Sequence, residues 1–136
     1  MVFIKSFFII LVFAIIIGCS SNDPMVDASK TVIQKTKVTI TNRSFNFGTI
    51  SLEDSITYSY PVINSGNKNL IIKNVKTSCG CTAPEWEKEP IVPGDSTLIK
   101  VKFNPISTGY NEKTIVINCN VDSSFIVLYL RGTVVK

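Results

Sequence analysis

The sequence predicts an all-β domain, a sandwich of two facing sheets built from about seven short strands. Three observations carry the prediction. From Lys37 onward, apolar and polar residues alternate in short runs. Turn residues divide those runs at the spacing that sandwiches show. No segment keeps a 3.6-residue apolar period.

Each element follows from its own residues. Lys37 to Thr41 and Ser44 to Ile50 open the domain, and in the second Phe45 and Phe47 share a face. Ser55 to Asn64 is long and aromatic, with Tyr58 and Tyr60 as ordinary residues of one strand face. Pro61 has no N–H to give a ladder, so that run belongs at a sheet edge or a bulge. Asn64 to Asn67 is a turn, and Leu70 to Thr77 is the next strand, with Leu70 and Ile72 on one face. Pro93-Gly94-Asp95 is a turn. After it, Thr97 to Asn104 sends Ile99, Val101 and Phe103 inward and Lys100 and Lys102 outward. Pro105 to Tyr110 reads as a loop. Lys113 to Cys119 aligns Ile115, Ile117 and Cys119. Ser124 to Val135 closes the domain, with Ile126, Leu128 and Leu130 inward and Arg131 outward. Two such sheets bury one stripe from every strand. The single Trp86 lacks the Cys…Trp…Cys frame of antibody domains, so the expectation is an Ig-like β-sandwich of another type.

Composition narrows the function. The 136 residues leave room for one domain with extensions, and 45% are hydrophobic. There is no histidine. That removes the commonest general base and metal ligand, and with them Ser-His-Asp, Cys-His and His-rich zinc chemistry. The net charge of +4 is carried by scattered lysines, unlike the clustered patch of a nucleic-acid surface. The expectation is a non-enzyme with no cofactor and no nucleic-acid partner.

The first eighteen residues read as an export signal. Lys5 precedes an apolar run from Phe7 to Ile17, which is short of the roughly 20 residues a spanning helix needs. Ile16-Ile17-Gly18-Cys19 resembles the bacterial lipobox, in which the cysteine becomes the first mature residue. The resemblance implies diacylglycerol on the Cys19 sulfur and a further acyl chain on its nitrogen. Two or more chains hold a membrane where one does not, because each buried methylene contributes about 0.8 kcal/mol. Residues 20–36 are polar, contain Pro24 and read as a flexible tether. The expected layout is signal peptide 1–18, tether 19–36 and domain 37–136. The expected place is the bacterial cell envelope, with the outer membrane first among its membranes.

The order of motifs within the domain is also informative. Phe45-x-Phe47-Gly48 is followed by Val62-Ile63-Asn64-Ser65-Gly66 and Leu70-x-Ile72. Then come Thr77-Ser78-Cys79-Gly80-Cys81-Thr82, Ile91-Val92-Pro93-Gly94, Val101-x-Phe103, Gly109 and Leu128-x-Leu130-x-Gly132. This series resembles the bacterial domain-of-unknown-function family fifteen-seventy-three over residues 37–136. The resemblance implies a sandwich similar to hydin-like and major-sperm-protein domains, and membership among exported lipoproteins. It implies no activity.

Once Cys19 carries lipid, three cysteines remain. Cys79 and Cys81 can bridge across Gly80, which permits the necessary bend. They can serve as soft ligands for Cu(I) or zinc, with Cys119 a third. Or the segment can be structural, a tight corner whose thiols are packed or paired. Cys119 shares parity with Ile115 and Ile117 and is expected to be buried and inert. Glu85, Glu87 and Glu89 read as a solvated loop. Trp86, expected beside Cys-Gly-Cys, is either an anchor for a partner or sugar or a lid over the sandwich. Together these readings describe a membrane-held binding or scaffolding module for an envelope protein. The alternative is a thiol-based redox or metal site at Cys79 and Cys81.

Overall fold

Alternating β-branched and aromatic residues set a period of two from Lys37 onward, and the domain answers it with strands. The computed structural model describes residues 34–136. Residues 1–33, with the predicted signal, Cys19 and most of the tether, lie outside the described residues. Among the described residues eight strands form: β1 (Val38–Thr39), β2 (Ser44–Ser51), β3 (Ile56–Asn64), β4 (Ile72–Thr77), β5 (Thr82–Glu85), β6 (Ser96–Phe103), β7 (Gly109–Cys119) and β8 (Phe125–Val135). They make two four-stranded sheets, ordered β1-β3-β6-β5 and β2-β8-β7-β4. The all-β sandwich is therefore as expected, with one strand more.

The core lies between the sheets. Tyr60, Ile99, Val101 and Phe103 from the first sheet and Ile115, Ile117, Leu128 and Leu130 from the second are fully buried. Each such side chain contributes roughly 1.5–3 kcal/mol relative to exposure. Lys100 and Lys102 point out, as β6 alternates strictly. Aromatic contacts join the layers. Phe45 of β2 stacks on Tyr58 of β3 with ring centroids 3.7 Å apart, and the Tyr60 hydroxyl donates to the Tyr129 carbonyl of β8 at 2.8 Å.

The strand missed in the sequence is β5. Its residues, Thr-Ala-Pro-Glu, have little β-propensity, and Pro84 argues for a loop. It forms because β6 offers a partner: Thr82 pairs with Phe103 and Glu85 with Lys100. Strand β7 also starts earlier than its apolar residues indicate. Gly109, at φ 104°, takes a backbone that other residues rarely adopt and launches the strand from the loop.

The edges of the sheets determine what can be reached from outside. Asn64 exchanges bonds with Gly94 and Asp95 on the β6 side. By alternation, Pro61 therefore faces the other way. There β1 covers only Ile63 and Asn64, so the missing N–H falls on an open edge, as its chemistry requires. The same count along β5 puts Pro84 on that strand's outer side. Strand β2 carries a bulge between Asn46 and Thr49, and Asn46 Oδ1 accepts from the Gly48 N–H at 2.8 Å. Strand β4 is irregular between Ile72 and Asn74. Prolines and bulges of this kind discourage a second chain from adding to an edge.

Candidate functional site

The chain enters the domain at one end of the sandwich. Asn120 holds it there: its Nδ2 donates to the carbonyls of Gln34 at 2.7 Å and Asn69 at 2.8 Å, and Thr36 bridges Val121. The Cys-Gly-Cys segment lies towards the opposite end, where the chain crosses from β4 to β5. Ser78 bonds both backbone groups of Thr114, its N–H reaching the Thr114 carbonyl at 2.9 Å and its Oγ accepting from the Thr114 N–H at 3.1 Å. Thr114 and Asn120 are six residues apart on β7 and its exit, or about 20 Å.

Cys79 and Cys81 are joined in a disulfide, with Cα atoms 5.3 Å apart. Both are half-buried, while Gly80 between them is exposed. A second set of bonds holds the corner. The Thr77 hydroxyl sits 3.0 Å from the Cys79 carbonyl and 3.0 Å from that of Thr82, and the Asn104 N–H donates to the Cys81 carbonyl at 2.9 Å. The Thr82 hydroxyl is buried against the bridge, 3.5 Å from the Cys79 sulfur and 4.0 Å from that of Cys81. A disulfide sulfur carries no hydrogen, so the hydroxyl is the donor. Closing so small a ring removes little freedom from the unfolded chain, about 1.5 kcal/mol.

Cys119 does not join this pair. It is buried at the entry end of β7, five residues from Thr114, which is about 17 Å along the strand. Burial pushes its thiol pKa up, slightly offset by a hydrogen bond from the Val121 backbone. Its expected role as a third ligand fails on that separation. Among the described residues no group of three or more His, Cys, Asp or Glu side chains could hold a metal ion.

Trp86 is also separate from the corner. Strand β5 carries the chain away from Cys81, and Trp86 lies about five extended residues, or 16 Å, further on. It is half-buried against the core cluster, with its Nε1 covered and unpaired and the Lys88 ammonium 3.0 Å from its ring centre. Glu85 is a residue of β5 rather than of a loop, paired with Lys100 at 3.3 Å. Glu87 and Glu89 are exposed.

A feature that sequence reasoning missed adjoins the disulfide. Strand β4 pairs with β7 only from Ile115 to Cys119, whereas β8 pairs with it from Gly109 to Asn118. Thr114 turns its N–H and C=O toward Ser78, so by alternation Glu112 and Tyr110 face the same side. Among the described residues no partner meets them there. Tyr110 is 69% exposed and Ile106, in the preceding loop, 78%. This stretch of edge carries neither proline nor bulge. The alternation of Lys113 to Cys119 could not reveal it, because the gap depends on where β4 stops.

The sheet order defines the class: an Ig-like β-sandwich of two four-stranded sheets. The chain belongs to the family described as protein of unknown function (DUF1573), whose model matches residues 38–134. No curated protein matches it in sequence. Among solved structures, a Porphyromonas gingivalis W83 protein of unknown function aligns over 82% of this chain and 51% of its own, with TM-score 0.64 and 16% identity. The chain thus spans about half the length of that relative. The ASH/PapD-like domain 7 of human CEP192 aligns over 75% of this chain and 87% of its own, with TM-score 0.63 and 13% identity. The secreted serine protease VesC of Vibrio cholerae aligns over 75% of this chain and 24% of its own, with TM-score 0.58 and 14% identity. At these identities the likeness is one of fold.

Proposed function

We propose that the protein is a lipid-anchored binding module of the bacterial cell envelope, without enzymatic activity, that takes up an extended segment of another envelope protein. The observation that carries the reading is the bare stretch of β7. Tyr110 and Glu112 offer two N–H and two C=O groups at the spacing of a β-ladder, flanked by exposed Ile106 and Tyr110 side chains. An added strand satisfies those groups, and the apolar side chains give it purchase. The lipobox-like Ile16-Ile17-Gly18-Cys19 supports the anchor. The Cys79–Cys81 bridge supports export, since such bonds persist in oxidising compartments. The entry at Gln34 supports an arrangement in which the β7 edge stands away from the bilayer. The lack of histidine supports binding over catalysis.

Two tests apply. Cys19→Ser protein is expected to leave the membrane fraction, and its retention there would count against the anchor. For the edge, a photo-crosslinking residue at Tyr110 in the full chain reports the partner. Glu112→Pro deletes an N–H that points away from β8 and so spares the β7–β8 ladder. It is expected to abolish the crosslink, while Glu112→Gln, which also loses the ion pair between Glu112 and the Arg131 Nε at 2.7 Å, keeps it. Equal crosslinking in both variants would remove the edge from the account.

A further inference from the structure

We infer that the Cys79–Cys81 disulfide is an exchange site that accepts electrons from a protein dithiol, opening and closing without unfolding the domain. Three observations carry this, and none depends on the anchor or on the β7 edge. The bridge is half-exposed at the end opposite the chain's entry, next to exposed Gly80, so an incoming sulfur can approach it. The corner has its own hydrogen bonds from Thr77, Ser78 and Asn104 and does not rely on the bridge for its shape. The Thr82 hydroxyl, 4% exposed, stands against both sulfurs and can donate to a thiolate on either.

The two sulfurs are not equivalent. Cys81 packs against the core cluster, which leaves Cys79 as the sulfur to be attacked. A thiolate of the dithiol attacks Cys79 Sγ, the Cys79–Cys81 bond breaks, and Cys81 leaves as a thiolate with the Thr82 hydroxyl, 4.0 Å from its sulfur, as the donor at hand. The second thiol of the partner loses its proton and attacks its own sulfur in the mixed disulfide, releasing Cys79. The partner ends as a disulfide, and Cys79 and Cys81 end as two thiols once protons are taken up. Two electrons have moved. An accessible sulfur to attack and a donor beside the leaving sulfur are what such exchange needs. Thr82 acts here as a positioning residue.

The test uses the full chain in detergent with reduced thioredoxin as the dithiol probe. Alkylation and mass spectrometry follow each cysteine, and circular dichroism follows the fold. Cys79 and Cys81 are expected to become labelled while the β spectrum is unchanged and buried Cys119 stays unlabelled. Thr82→Val is expected to slow the reaction about tenfold, the loss of one hydrogen bond to a charged sulfur, with Thr82→Ser restoring it. With a thioredoxin lacking its second cysteine, oxidised wild-type protein is expected to trap a mixed disulfide at Cys79. Labelling of Cys79 and Cys81 only together with Cys119 under denaturant would overturn the inference. So would trapping at Cys81 alone, or equal rates in the Thr82 variants.

Discussion

Asn64 shows how one side chain secures a turn. It is fully buried, and each of its polar atoms is used. Its Oδ1 accepts from the Thr36 hydroxyl at 2.9 Å and from the Gly66 N–H at 3.2 Å, while Nδ2 donates to the carbonyls of Lys68 and Ile91 at 2.8 Å each. Removing it leaves the Thr36 hydroxyl buried without its acceptor and takes a donor from the Lys68 and Ile91 carbonyls, and a buried group left unpaired costs more than the bond gained in forming. Asn64→Ala is expected to destabilise the domain by about 3 kcal/mol, read as a shift in denaturant midpoint at unchanged slope. A change below about 1 kcal/mol would show that water replaces the amide. In the sequence this residue reads only as the first position of a turn. The turn was legible from Asn64-Ser65-Gly66-Asn67, but the buried network was not, because its partners lie far away in the chain.

At the scale of elements, alternation was a sound guide where a strand buries one face against the other sheet. β6, β7 and β8 all obey it, since each is central and faces a full opposing layer. It was a poor guide for β5, whose existence rests on a neighbour's free backbone. The candidate site divides in the same way. Its cysteines were visible as residues, while the bare β7 edge, the Thr82 contact and the separation from Trp86 depend on register and strand length. Register also explains Gly132. A Cβ there would run into the ring of Phe47, because β2 and β8 lie parallel with the bulge at Gly48 turning Phe47 across the strand. Gly132→Ala is expected to cost about 2 kcal/mol by overpacking. Phe47→Leu in the same chain should recover part of that loss. Additive costs in the double variant would mean that the two positions do not meet.

For the molecule as a whole, the groups that titrate against folding are buried acids. Desolvation raises the Tyr60 phenol, with the nearby Tyr58 adding to it, and burial raises the Cys119 thiol. In both, the folded state disfavours the charged form. The unfolded chain ionises freely from about pH 9 for cysteine and pH 10 for tyrosine. Stability from these groups is therefore intact below pH 9 and falls as pH climbs through the raised values. With no histidine in the chain, no side chain of ordinary pKa titrates between about pH 6 and 8, and stability there is expected to be flat. Thermal melts across pH 7 to 11 check both statements. Tyr60→Phe should shallow the alkaline decline, and an unaltered slope would assign it elsewhere.

The placement of the two ends has a mechanical consequence. Both β1 and β2 run from the entry end toward the disulfide end, β1 antiparallel to β3 and β2 alongside β8 in parallel. A tug on Gln34 directed out of the entry end, resisted by the strand we propose to dock on β7, acts along the strand axes. The ladder bonds are then strained in shear and share the load, rather than opening in turn like a zip. A module gripped in this way resists pulling through a slow rate of forced rupture, which suits a linkage that must stay closed under tension.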